Sequence, residues 1–205
     1  MKLNTKIMSI LLISILLSFM FVPFTKVEAA TSDITTGVPE TGIYLIKNKA
    51  SGKYLNVNLG TDANGTNVIQ WSYDGSIEQK WRIVKTSSGY KIYAMCSSNG
   101  SNRVLDVLRD NGSASGALNA GNNVDIWAPN DSEAQTWDIY QMYQEGQYVI
   151  QLSHDGIYYG LILKAADNNN GSGAGTSPTS PGNVYVDNLK ERVYDSELWI
   201  LEKIG

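Results

Sequence analysis

Three short stretches decide the fold: Gln79-Lys80-Trp81-Arg82-Ile83, Gln135-Thr136-Trp137-Asp138-Ile139 and Glu197-Leu198-Trp199-Ile200-Leu201. Each places a long polar side chain two residues before a Trp and then runs on as a short strand rich in apolar residues. Two carry Gln and the third carries Glu.

Working outward from each Trp, the same order of short runs recurs three times. A Gly opens an aromatic-rich strand: Gly42-Ile43-Tyr44-Leu45-Ile46, Gly89-Tyr90-Lys91-Ile92-Tyr93 and Gly146-Gln147-Tyr148-Val149-Ile150. A second strand follows: Tyr54-Leu55-Asn56-Val57, Val104-Leu105-Asp106-Val107 and Gly160-Leu161-Ile162-Leu163. After a Gly/Asn-rich loop comes a third: Asn67-Val68-Ile69-Gln70-Trp71, Asn123-Val124-Asp125-Ile126-Trp127 and Asn183-Val184-Tyr185-Val186-Asp187. The Trp stretch closes each unit. No window of useful length has period-3.6 apolar spacing, so the chain reads as all-β. Three repeats of four strands, at about residues 42–86, 87–143 and 144–205, cannot each bury an apolar face alone and must close on one another about a common axis. The repeat-ending Trp residues are expected to anchor the shared core, with the preceding Gln bonding backbone in the neighbouring loop.

The rest of the chain sets the context. Lys2 and Lys6 precede an almost wholly apolar run over residues 7–24, and Val27-Glu28-Ala29 offers a cleavage site. Residues 1–29 therefore read as a secretory signal peptide, with a retained membrane anchor as the alternative. Residues 30–41 are polar and read as a flexible lead-in. Removing residues 1–29 lowers the basic residues from 16 to 13 and the acidic ones from 20 to 19, which takes the net charge from −4 to about −6 with His154 neutral. With no basic cluster, neither nucleic acid nor an anionic membrane is an expected partner. Cys96 is the one cysteine, so no internal disulfide forms; its place after a strand reads as a small apolar packing residue, with a reactive thiol or a dimer bridge as the alternatives. His154 is the one histidine, which excludes a His-based metal cage. Cys96 and His154 lack a nucleophile motif, and no cofactor or metal is expected.

These residues resemble the ricin B-type lectin family, whose fold is the β-trefoil, over residues 42–204. The run from Gly42 to Leu55 and the run Val68-Ile69-Gln70-Trp71-Ser72-Tyr73-Asp74-Gly75 followed by Gln79-Lys80-Trp81 carry the likeness most closely. The resemblance implies binding of glycans, galactose-type or other sugars, in shallow pockets, up to one per repeat; with the signal peptide and the lack of a catalytic motif, a secreted, non-catalytic lectin is expected. Many relatives staple each repeat with a disulfide. The corresponding places here hold Tyr54 and Tyr73, then Val104 and Pro129.

A sugar needs hydrogen bonds to its hydroxyls and a flat apolar surface for its C–H face. The second repeat supplies both at the family's positions: Asp106 and Asp125 as polar walls, Trp127 for stacking, Asn130 and Gln135 for amide contacts. In the first repeat Asn56 replaces the acid, Ile69 stands at the polar position, and Trp71 and Gln79 are kept, so a pocket of different specificity is expected. In the third repeat Ile162 is read at the acid position and Asp187 at the stacking position. Tyr185 is read on the other face of its strand, and the loop at residues 167–182 is read as a flexible insertion. That repeat is expected to be structural. The alternatives are a trefoil that binds a protein partner in a secreted complex, and a hydrolase using paired acids.

Overall fold

A computed structural model of the chain describes residues 39–142, 144–153, 160–172 and 175–205. The signal-peptide and lead-in readings fall on residues 1–38 or their edge, and His154 also lies outside the described residues.

Among the described residues, twelve strands carry the fold, four per repeat. The first repeat holds β1 (Gly42–Asn48), β2 (Tyr54–Val57), β3 (Thr66–Trp71) and β4 (Lys80–Thr86). The second holds β5 (Gly89–Ala94), β6 (Val104–Val107), β7 (Val124–Trp127) and β8 (Trp137–Gln141). The third holds β9 (Gln147–Leu152), β10 (Leu161–Ala165), β11 (Val184–Asn188) and β12 (Trp199–Lys203). First and fourth strands pair antiparallel in the closed sequence β1–β4–β5–β8–β9–β12–β1, a six-stranded barrel. Second and third strands pair as three hairpins, β2–β3, β6–β7 and β10–β11. This is the β-trefoil that the three Trp stretches imply. Closure leaves the six barrel strands with a partner on both sides.

The core repeats with the sequence. Trp81, Trp137 and Trp199 are fully buried, and each indole Nε1 donates to a carbonyl of its own repeat's second strand: Leu55 at 3.0 Å, Leu105 at 3.1 Å and Leu163 at 2.9 Å. A buried indole N–H that found no acceptor would cost about 1–3 kcal/mol, so the same solution appears three times. Where relatives place a disulfide in the first repeat, the rings of Tyr54 and Tyr73 pack 5.2 Å apart.

The hairpins meet at a ring of three buried amides that the strand pattern alone does not announce. Asn123 Nδ2 donates to Asn67 Oδ1 (2.8 Å), Asn183 Nδ2 to Asn123 Oδ1 (2.9 Å), and Asn67 Nδ2 to Asn183 Oδ1 (3.1 Å). Each Nδ2 makes a second bond, at 3.2 Å, to a backbone carbonyl: Gly175, Val124 and Ser177 respectively for Asn67, Asn123 and Asn183. An amide has two N–H donors, so every donor in the ring is satisfied, the condition for burying polar groups.

The loop at residues 167–182 differs from its reading as a flexible insertion. Its described part docks on β3: Gly171 N donates to Gln70 O (2.9 Å), Gln70 N to Gly182 O (2.8 Å), and Gln70 Nε2 to Asp167 O. Gly171 has no side chain because a Cβ there would lie 2.4 Å from Ile69 Cβ. Backbone hydrogen bonding, which composition does not encode, turns a polar run into fixed structure.

Candidate functional site

The indole hydrogen bonds align the three repeats residue by residue. Leu55, Leu105 and Leu163 are equivalent, so the positions after them, Asn56, Asp106 and Lys164, are equivalent too. Strand register agrees: Asn56 faces Ile69, Asp106 faces Asp125, and Lys164 faces Tyr185. The placement of Ile162 at the acid position is thus corrected by two residues. Three apolar residues in a row, Leu161-Ile162-Leu163, give no alternation from which to fix a register. Tyr185 is corrected likewise: it lies two residues before Asp187, on the same face of β11.

In the second repeat, Asp106, Arg109, Trp127, Asn130, Ser132 and Ala134 line a depression of about 130 Å³. Trp127 ends β7 and is 36% exposed, while the core Trp residues are fully buried. Asn130 Oδ1 accepts the Ser132 N–H (3.0 Å), which leaves its Nδ2 as the donor for a ligand. Arg109, absent from the sequence reading, holds the rim. It donates to Glu133 Oε1 at 2.7 Å and to Gly116 O at 2.9 Å.

Two of the expected residues are placed behind the wall. Asp125 faces Asp106 across the β6–β7 pair but is only 1% exposed and does not line the depression. Gln135 is fully buried; its Nε2 donates to Ala128 O (3.0 Å) and its Oε1 accepts from Asn130 N (2.9 Å). Gln79 does the same in the first repeat, with Ser72 O (2.9 Å) and Asp74 N (3.2 Å). These amides shape the loop that carries the rim.

The acid pair is electrostatically unequal. Burial pushes the Asp106 carboxyl up to about 6, against the pull of a Gln135 hydrogen bond and the nearby charges of Arg109 and Lys91. Burial pushes Asp125 further, to about 8, and the charge on Asp106 adds to it. Asp125 Oδ1 has no hydrogen-bond partner. At neutral pH the pair therefore carries about one proton, with Asp106, which is mostly buried but lines the depression, as the ionised acceptor.

In the first repeat, Asn56, Leu59, Trp71, Asp74, Ser76 and Glu78 line a depression of about 210 Å³. Trp71 is exposed to the same 36% as Trp127. Asn56 spends its Nδ2 on Val57 O (2.8 Å), which leaves the carbonyl end, an acceptor, for a hydroxyl. Leu59, on the rim, holds a left-handed backbone (φ 54°) that branched side chains rarely adopt.

In the third repeat the same positions fill one another. Lys164 Nζ lies 2.8 Å from Asp187 Oδ2 and 3.1 Å from Glu197 Oε1. Burial pulls the Lys164 ammonium down, but its bonds to Asp187 and Glu197 outweigh that and hold it above its ordinary value. Burial raises Asp187, and Lys164 more than offsets it, so its carboxyl sits below the usual range. Lys for acid, Asp for Trp and Glu for Gln are one coupled change that neutralises itself.

A family model described as a ricin-type beta-trefoil lectin domain-like domain matches residues 34–118. The chain is similar to that family over these residues, and its fold is the β-trefoil. It is 27% identical to the designed three-fold symmetric protein ThreeFoil, with TM-score 0.58, covering 80% of this chain and 99% of that one. It is 18% identical to the ricin B-like lectin of Macrolepiota procera solved in complex with lactose, with TM-score 0.55, covering 82% of this chain and 100% of the lectin. A mosquitocidal holotoxin matches at 22% identity and TM-score 0.61, over 82% of this chain but only 18% of the toxin. No curated protein matches the chain. Among the described residues of this trefoil, no group of three or more His, Cys, Asp or Glu residues is placed to hold a metal ion, and no helix is long and apolar enough to cross a membrane.

Proposed function

We propose that the chain is a secreted, non-catalytic carbohydrate-binding protein. Its main pocket is in the second repeat, at Asp106, Trp127 and Asn130, and a modified one is in the first, at Asn56 and Trp71. One observation carries this reading. The β6–β7 register brings an ionised carboxylate and an open indole face to one shallow depression, the two surfaces a sugar needs. Asp125 and Gln135 support that wall from behind.

The same geometry argues against a hydrolase. Paired catalytic acids must both reach the scissile bond, and Asp125 is closed off at 1% exposure. Cys96 is half-buried, and burial pushes its thiol up to about 11, so it is not a ready nucleophile. Secretion is supported by the basic start, the apolar run and the Val27-Glu28-Ala29 site.

A shallow depression buries little of a ligand, so single-site affinity is expected to be weak, with avidity from two unequal sites. A glycan array probed with the wild-type chain, Asp106→Asn and Trp127→Ala tests the reading. Binding to a set of glycans that both substitutions reduce is expected. Absence of binding to every glycan at high protein density would overturn it.

A further inference from the structure

Each open depression depends on an Asn from the repeat before it. Strand β7 ends at Trp127 and β3 at Trp71, so the next residues, Ala128 and Ser72, lie beyond the ladder. Their backbone N–H groups are not left free. Ala128 N donates to Asn64 Oδ1 at 2.8 Å, and Ser72 N donates to Asn170 Oδ1 at 2.9 Å, with Ser72 Oγ donating to the same oxygen at 3.1 Å. Asn64 belongs to the first repeat and serves the second. Asn170 belongs to the third and serves the first.

The equivalence is exact in the backbone. The residue after each Asn is a Gly whose N–H binds the strand one residue before the Trp: Gly65 N to Ile126 O (2.9 Å) and Gly171 N to Gln70 O (2.9 Å). The third instance is Gly121 N to Val186 O (2.7 Å), and the residue before Gly121 is Ala120. Ala has no acceptor. On that side the N–H beyond the strand, Asn188 N, donates to the neighbouring Asp187 side chain at 2.9 Å. The Asn is thus present in front of both open Trp residues and absent where Asp187 replaces Trp. Gly65 also lies against the indole it serves: a Cβ on it would be 3.7 Å from Trp127 Cζ3.

We infer that Asn64 and Asn170 are positioning residues for the two sugar sites, each fixing the stacking Trp of the following repeat from outside it. This rests on the sugar-binding reading of those depressions. It gives the third repeat, whose own pocket is filled by charged side chains, a part in binding: the described part of its loop at residues 167–182 holds the wall of the first repeat's site. Asp167 braces that loop by accepting from Gly182 N (2.8 Å) and Asn169 N (2.9 Å). An open indole has no packed neighbours on its ligand side, so the chain on either side of it must set the ring plane. A stacking partner held loosely loses affinity through the cost of ordering it on binding.

Both Asn residues are exposed, so their removal leaves the core intact. The test uses the full mature chain with ¹⁵N-labelled tryptophan and the variants Asn64→Ala, Asn64→Asp and Asn170→Ala. The indole N–H resonances are followed without ligand and during titration with lactose. Asn64→Ala is expected to shift the Trp127 indole and weaken lactose binding there about three- to tenfold, the loss of one hydrogen bond, while Trp71 is unaffected. Asn170→Ala is expected to do the reverse. Asn64→Asp, which keeps the acceptor, is expected to restore the wild-type resonance. The inference is overturned if Asn64→Ala leaves Trp127 unmoved, or disturbs Trp71 as much as Trp127. If wild-type lactose titration moves neither indole while the ligand-free shifts follow this pattern, the positioning role stands and the lactose reading of the sites fails instead.

Discussion

In the second repeat Asp106 stands opposite Asp125, and Trp127 lies open two residues further on. In the third, Lys164 stands opposite Tyr185 and Asp187 takes the Trp position. The two hairpins share register and the indole bond beneath them. They differ in where the charge goes. The second repeat keeps two acids in a poorly solvated place, Asp106 lining an open depression and Asp125 behind it with one oxygen unpartnered. The third sets one ammonium between Asp187 and the fully buried Glu197, so that opposite charges face one another. The second repeat's arrangement suits the binding role proposed for it, since its polar groups stay unspent for a ligand, and the third's suits a scaffold, which spends them on itself.

The largest effect is expected from breaking the ion cluster. Lys164→Ala strands the buried Glu197 carboxylate and should cost about 3–5 kcal/mol, measured by urea unfolding. Asp106→Asn in the second repeat should be close to neutral or stabilising in the same assay, because it removes a charge that burial disfavours. Equal losses in the two variants would erase the distinction between site and scaffold.

A smaller loss is expected at the feature the hairpins share. Asn123→Ala opens the amide ring and leaves Asn67 Oδ1 and Asn183 Nδ2 each short of a partner, so about 2–3 kcal/mol should be lost. Sugar binding by the folded fraction should persist, which a denaturation series paired with glycan binding checks.

The two repeats should also respond to pH with opposite sign. Unfolded carboxyls titrate near the ordinary value of about 4, whereas native Asp125 holds its proton to about 8. The native state then binds more protons between those values, so this pair lowers stability as pH rises from about 4 to about 8. The groups that set it are Asp106, Arg109 with its partner Glu133, and Lys91 with its partner Asp131. Asp187, held below the ordinary range, stabilises at neutral pH, and that contribution is lost as the solution is acidified through its lowered value. Asp125→Asn should flatten the slope between about pH 5 and 8, and Asp187→Asn should leave that window unchanged and alter the acid limb. An unchanged slope in Asp125→Asn would show that the acid pair is not the buried, proton-holding unit.

The trefoil was legible because it follows from period-two apolar runs recurring in order. A Trp buried three times in equivalent places needs no tertiary information to be recognised. The second-repeat wall was legible for a similar reason, since Asp106 and Trp127 sit on short strands whose register the flanking apolar residues set. What escaped were features that depend on contacts distant in sequence. Asp125 was placed on the wall because its neighbour in space, the loop ending at Gly65, is not its neighbour in the chain. Lys164 was missed because an unbroken apolar run hides the face of a strand. The docked loop at residues 167–182 and the amides of Asn64 and Asn170 were missed because composition reports flexibility, while a single backbone hydrogen bond to another repeat removes it.

The most direct measurement is an indole N–H titration of the intact chain with glycans selected by the array. All five Trp residues are resolved by their surroundings: Trp71 and Trp127 open, Trp81, Trp137 and Trp199 buried. The expected result is that Trp127 moves at the lowest glycan concentration, Trp71 moves separately with a different glycan preference, and the three core indoles stay fixed. Movement of no exposed indole, with binding still present, would place the ligand elsewhere and contradict the assignment of the second-repeat depression as the main site.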